Sequence, residues 1–379
     1  WMSQLGNFAN FIAYACMGIP AGIMLQRIGY KKTALTAIVV GFVGVGISFL
    51  SGQVESFTVY LIGAFVSGFS MCMLNAVVNP MLNTLGGGGN RGNQLVQFGG
   101  SCNSIGATIV PVLVGYLMGD VYSASISKAS PALFLAMGIF ALAFIVLSFV
   151  KIPEPHLVTA KKEKEKHSPF SFRHFVLGTL AIFFYVGVEV GIANFANLFM
   201  TQSVDKGGLA IDTTVAGTIA GTYWFLMLIG RLTGASLGAK FSSKSMLTFV
   251  SSLGILLILL AIFLPLSTTV NMPVFKSDIS FGLAEVPIGI MLMILCGLCT
   301  SVMWGNIFNL AVEGLGKYTA AASGIFMVMV CGGGVLPLIQ GAVADGFGYL
   351  ASFWVAQGTY RAQSIYGIKP MLDGEHYTQ

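Results

Sequence analysis

Glu189 is the residue in this sequence that most calls for a chemical explanation. It lies in Tyr185-Val-Gly-Val-Glu-Val-Gly-Ile-Ala-Asn-Phe-Ala-Asn197, inside an otherwise uncharged run that begins after His174. About 15 residues into that run, at 1.5 Å per residue, it sits roughly 23 Å along a helix. If the run crosses a bilayer, the carboxyl lies deep inside it. There an ionisable side chain costs about 2.5–3.5 kcal/mol on insertion scales and marks a functional site by default. Tyr185 precedes Glu189 by four residues and Asn197 follows it by eight, so a helix aligns the three on roughly one face. A carboxyl, a phenol and an amide on one stripe offer directional donors and acceptors beside an aromatic surface. That chemistry suits a polyhydroxylated solute such as a sugar. A carboxylic acid bonded to a neighbouring helix for structure alone is the competing reading.

Neutral polar groups recur in other apolar runs. Asn75 and Asn79 stand four apart, with Pro80 next; Gln94, Gln97 and Asn103 follow within the next run. Trp304-Gly-Asn-Ile-Phe-Asn309 places an aromatic ring beside the amides of Asn306 and Asn309. Amides inside a bilayer must find partners or line a wet cavity, and both remain open: a solute cavity, or glue between helices. Trp304 either stacks on a sugar face or anchors at the interface. Arg231, near a helix end, reads as a snorkelling cation. Gln340 follows Gly332-Gly-Gly-Val-Leu-Pro337, a stretch suited to close packing or a gating bend.

Other chemistries find no support. The six cysteines lie in apolar runs, and the pair Cys296 and Cys299 has no second pair or nearby histidine, so packing is favoured over a metal or redox role. No cofactor is expected. Gly86-Gly-Gly-Gly-Asn-Arg91 lacks the Gly-Lys-Ser/Thr of a phosphate loop, and no metalloprotease or serine-hydrolase motif occurs, so an enzyme is not expected.

The elements that must position these residues follow from composition. Of 379 residues 55% are hydrophobic and 9% charged, with mean hydropathy +0.84; soluble domains carry about 25% charged residues. Uncharged runs of about 20 residues match a ~30 Å hydrocarbon core, and the 48 glycines suit close helix packing. Spans are expected near 4–25, 33–51, 57–82, 95–119, 131–150, 174–201, 211–238, 245–266, 284–308 and 319–344. Arg27, Lys31 and Lys32, the segment Lys151–Arg173, and Lys240 with Lys244 fall on one side, which the positive-inside rule makes cytoplasmic. The net charge of +5 therefore reports topology and not nucleic-acid binding.

The Lys-rich segment 151–173 reads as a cytoplasmic linker between a helical half at 1–150 and another at 174–379. Corresponding cytoplasmic turns, Gly22–Lys32 and Gly234–Lys244, fall one span apart in the two halves. A six-plus-six parallel repeat is thus expected, with the first half lacking its opening helix. After Asp345 the chain begins as a helix might and then becomes too polar to span, so the last helix is expected to be incomplete or altered. The fold class is all-α, a polytopic membrane protein with about ten complete spans.

Seven stretches, in order, carry a resemblance: 20–33 (PAGIMLQRIGYKKT), 75–86 (NAVVNPMLNTLG), 103–107 (NSIGA), 184–192 (FYVGVEVGI), 230–234 (GRLTG), 301–316 (SVMWGNIFNLAVEGLG) and 332–345 (GGGVLPLIQGAVAD). Together they resemble the fucose–galactose–glucose:proton symporters of the major facilitator superfamily. The resemblance implies a twelve-helix fold, alternating access and a central sugar site. It implies a monomeric importer of a monosaccharide in a bacterial inner membrane, driven by a proton or sodium gradient; a sugar-binding sensor or a uniporter for another small polar solute is the alternative. The polar and aromatic groups within the spans give the candidate sugar-binding set: Asn75, Asn79, Gln97, Asn103, Tyr185, Glu189, Asn197, Trp304, Asn306 and Asn309. Relatives carry Glu or Gln where this chain has Asn75, at a position implicated in proton coupling, and asparagine does not titrate. Glu189 is left as the coupling candidate, but it matches a position where relatives have Glu or Gln, so binding sugar and not protons is the alternative. Relatives usually have Pro-Thr where this chain has Gly305-Asn306.

Overall fold

A computed structural model describes residues 4–118, 130–154, 168–238, 240–276 and 280–368. The first helix, α1 (Leu5–Gln53), has 49 residues. At 1.5 Å each that is about 73 Å, more than twice a bilayer core. It is two spans in one, broken at Gly29, whose φ of 85° is the left-handed conformation that favours glycine. Glu154 fills the break: its carboxylate accepts from the backbone N–H groups of Tyr30 (2.5 Å) and Lys31 (3.1 Å). These are orphan donors of the helix restarting there, and an acid suits that end.

The remaining helices are α2 (Phe57–Leu85), α3 (Gly89–Met118), α4 (Ser130–Phe149), α5 (Arg173–Thr201), α6 (Thr213–Leu237), α7 (Ser243–Phe263), α8 (Ile288–Ser301), α9 (Met303–Val312), α10 (Thr319–Val328), α11 (Gly332–Phe347) and α12 (Tyr349–Ile368). Eight segments among the described residues are long and apolar enough to cross a membrane, with α8–α9 and α10–α11 each counted as one. The two arms of α1, together with the more polar α3, account for the ten expected spans.

Three features depart from expectation. The spans expected at 284–308 and 319–344 are broken, at Val302 and over Met329–Cys331. Close packing is the reason at the second break: a Cβ on Gly332 would meet the carbonyl oxygen of Phe183 at 2.0 Å. Next, residues 284–287 are not helical. They belong to an antiparallel hairpin of β1 (Thr269–Phe275) and β2 (Phe281–Pro287), in register from Thr269↔Pro287 to Phe275↔Phe281. Alternation explains it: Met272, Val274 and Val286 are buried while Phe281 and Leu283 are exposed. Finally, the polar stretch after Asp345 is the 20-residue helix α12. Its Ser352, Phe353, Ala356, Thr359, Tyr360 and Gln363 recur at helical spacing and are all buried, so the polarity faces protein. The expected linker's residues 155–167 and the tail 369–379 lie outside the described residues.

Within α1–α4, α1 packs on α2 and α4; within α5–α12, α5 packs on α11 and α12, α6 on α8, and α7 on α8 and α12. The two groups meet along two seams. In one, α1 lies against α10 and α11; in the other, α3 lies against α6 and α9.

Candidate functional site

Glycines bring α5 close to α11. A Cβ on Gly187 would meet Leu336 Cδ1 at 2.1 Å, and one on Gly191 would meet Gln340 Oε1 at 2.5 Å. Between them stands Glu189, whose Oε1 accepts from Arg231 Nη2 at 3.0 Å; the two side chains are 14% and 8% exposed. Arg231 is therefore no snorkelling cation. Its Nε donates to Ser301 O (3.3 Å), and its Nη1 donates to Gly100 O (3.1 Å) and Ser104 Oγ (2.7 Å). The Ser301 carbonyl lies at the α8–α9 break. A planar fork with five donors can serve so many acceptors at once, which a lysine could not.

Around this pair the structure gathers several of the residues singled out above. Tyr185 packs its ring edge-on to Trp304, with centroids 6.2 Å apart. Its buried hydroxyl lies beside Glu189 and Arg231 without a well-aligned hydrogen bond. Trp304 Nε1 donates to Asn79 Oδ1 (3.2 Å), so this ring is an interior group and not an interfacial anchor. Asn79 Nδ2 donates to Asn75 O (2.9 Å), and Asn75 Nδ2 donates to Tyr14 Oη (3.1 Å). Tyr14, on α1, is within electrostatic range of Glu189. Three aromatic groups, two amides and an ion pair thus converge from α1, α2, α5, α6 and α9.

A second set joins the two helix groups. On α3, Asn93, Gln97, Gly100 and Ser104 are spaced by four, three and four residues, which is one helix face. Asn93 Nδ2 donates to Asn306 Oδ1 (2.9 Å), Gln97 Nε2 donates to Val302 O (2.8 Å), and the last two meet Arg231. Gly305 permits this approach, since a Cβ there would meet Gln97 Nε2 at 2.7 Å. Nearer Lys244, Asn309 accepts from Asn83 (2.8 Å) and donates to Ser243 Oγ (2.9 Å). Along the other seam, Ser323 Oγ donates to Ala76 O (3.2 Å), and Gly18 faces Gly324 backbone to backbone. Gln97, Asn306 and Asn309 are in these bridges and not in the central cluster.

Two expected members stand apart. Asn103 is exposed, on a different side of α3 from Ser104. Asn197 lies eight residues beyond Glu189, about 12 Å along α5, with its Oδ1 buried and unpartnered. Tyr14, Asn83, Asn93, Ser104, Arg231 and Ser243 were not anticipated. Asn83 extends the Asn75–Asn79 series by another turn and Asn93 precedes Gln97 by one, so both were findable by spacing. Among the described residues no group of three or more His, Cys, Asp or Glu clusters as a metal site would.

The family model described as Major Facilitator Superfamily matches residues 3–338. The chain is 28% identical to the glucose/galactose transporter of Brucella abortus biovar 1 over 372 residues, covering 97% of this chain and 84% of that protein. It is 23% identical to the L-fucose-proton symporter of Escherichia coli K12 over 369 residues, 90% of this chain and 78% of that one. Its fold is similar to a crystal structure of the transporter FucP in the outward conformation, with a TM-score of 0.77 at 20% identity, covering 97% of this chain and 89% of that chain. It also resembles the proton:xylose symporter XylE bound to 6-bromo-6-deoxy-D-glucose, with a TM-score of 0.68 at 15% identity, over 96% of this chain and 85% of that chain.

Proposed function

Since this chain belongs to the Major Facilitator Superfamily, as a multi-pass membrane transporter and not an enzyme, we propose that it imports a monosaccharide of the glucose, galactose or fucose class across a bacterial inner membrane. Transport runs by alternating access, with α1–α4 rocking against α5–α12 about the central cluster. The observation that carries this reading is the convergence of Asn75, Asn79, Tyr185, Glu189 and Trp304 from both helix groups. Amides and a carboxyl bond sugar hydroxyls, and the Trp304 and Tyr185 rings offer a face for the pyranose. The named relatives support the substrate class.

Gln97, Asn306 and Asn309 act in closing the basic-loop side, while Asn103 and Asn197 are reached only after rearrangement. A cation gradient drives the cycle, a proton being the simplest choice given the name of the fucose relative. Asn75 cannot carry that proton, so Glu189 does. The basic loops face the cytoplasm, and the protein works as a monomer.

Hexose uptake into proteoliposomes with imposed proton or sodium gradients tests the proposal. At least one of glucose, galactose and fucose should enter faster with a gradient, and no gradient-stimulated uptake of any of them refutes it. Glu189→Gln is expected to abolish the stimulation while sugar exchange at equal concentrations persists. Retained stimulation with weakened sugar affinity would instead make Glu189 a sugar ligand.

A further inference from the structure

We infer that Arg231 is a positioning residue that ties the state of Glu189 to closure of the basic-loop side. The inference deepens the transport reading above but stands on the hydrogen bonds themselves. Arg231 belongs to α6, and it holds Glu189 of α5 through Nη2. Through Nη1 it holds Gly100 and Ser104 of α3, across the seam. The guanidinium is planar and rigid, so whatever fixes Nη2 also fixes where Nη1 points.

The other bonds between the two helix groups are neutral: Asn93–Asn306, Gln97–Val302, Asn83–Asn309, Trp304–Asn79, Ser323–Ala76, Asn7–Gly333 and Gln4–Asn194. Such interhelical bonds are each worth little, and none of these changes charge during a cycle. The Arg231 link is different. Its orientation depends on an anion that a proton or an incoming ligand can neutralise or engage. The ionisable neighbours of Glu189 are Tyr185 on its own helix, Tyr14 on α1, and Tyr223 and Arg231 on α6. None of these is a second carboxylate that could replace it.

Neutralising Glu189 leaves a buried guanidinium with no anion. Separation of α3 from α6 then becomes favourable, because it admits water to the cation. Loading at Glu189 from one side thus unlatches the other, without any direct contact between the incoming ligand and α3.

The test uses Ser323→Cys as a reporter. Ser323 is fully buried where α10 meets α2, so a thiol there is protected while the seam is closed. Modification at position 323 by a membrane-impermeant maleimide applied from the basic-loop side is followed by mass spectrometry. In this background Ser104→Ala, which leaves the ion pair intact, should accelerate modification about threefold, as expected for losing one interhelical hydrogen bond. Glu189→Gln should accelerate it about tenfold or more, since it strands the cation. The double variant should label no faster than Glu189→Gln alone, because both act through the same Arg231 guanidinium.

Ser101→Ala, which loses only a bond to Gln97 O within its own helix, should change nothing. Should Glu189→Gln fail to fold, the contrast between Ser104→Ala and Ser101→Ala decides. Unchanged labelling in Ser104→Ala, or additive effects in the double variant, overturns the inference. The assay needs no sugar. Predicted labelling without uptake therefore refutes only the transport reading, and uptake with unaltered labelling refutes only the Arg231 link.

Discussion

Replacing Arg231 with methionine is expected to cost the folded protein about 3–5 kcal/mol, the penalty for stranding a buried charge. The side chains of Arg231 and Glu189 are 8% and 14% exposed, so neither can turn to bulk water without moving helices. Methionine leaves the Glu189 carboxylate unpaired and also empties three acceptors, Ser301 O, Gly100 O and Ser104 Oγ. The thermal unfolding midpoint of the detergent-solubilised variant should fall steeply. Adding Glu189→Leu should restore most of the loss, because an apolar pair of similar volume is often as stable as the buried ions it replaces. Gradient-driven uptake should remain absent in the double variant. An unchanged midpoint in Arg231→Met would show that the pair is hydrated.

Gly324→Val is the second large effect, and it acts on one conformation more than on the fold. A Cβ on Gly324 would meet Gly18 O at 2.6 Å and Gly22 Cα at 2.8 Å. Both are backbone atoms, so α1 itself must retreat. Overpacking of this kind costs about 1–3 kcal/mol, here only while α1 touches α10, a shift of roughly 5- to 150-fold between conformations. The variant should fold, transport poorly and expose a Ser323→Cys thiol from the basic-loop side. Gly217→Val is the control, since its Cβ would meet nothing within 4 Å. Normal uptake with a protected thiol would remove the α1–α10 contact from the cycle.

The spans were legible in the sequence because a bilayer demands length and apolarity together, and each run satisfies both on its own. The turn at Gly29 was legible for the same reason. The break at Val302 was not, because Arg231 and Gln97, which bond the Ser301 and Val302 carbonyls there, come from other helices. Composition also misled at α12: an average over Ala356–Gln363 reads as polar, whereas position by position Thr359, Tyr360 and Gln363 face protein.

The site shows the same division. Glu189 and Tyr185 stand out because a carboxyl and a phenol in an apolar run are rare. Arg231 did not, since its distance from a helix end was visible and its neighbours were not. Asn103 drew attention over Ser104 because an amide looks more chemical than a hydroxyl. One residue along a helix is about 100° of rotation, however, and that rotation points Ser104 at Arg231 and Asn103 elsewhere.

Gly305 has an evolutionary corollary. Its missing side chain is the space that the Gln97 amide occupies, so the two positions form one lock divided between distant parts of the chain. A lineage that acquires a bulkier residue at 305, such as the proline that the resemblance places there, must shorten residue 97 or move α3 outward. Sequence change in the Trp304–Asn309 stretch is therefore not free to drift alone; it travels with a partner about 200 residues earlier.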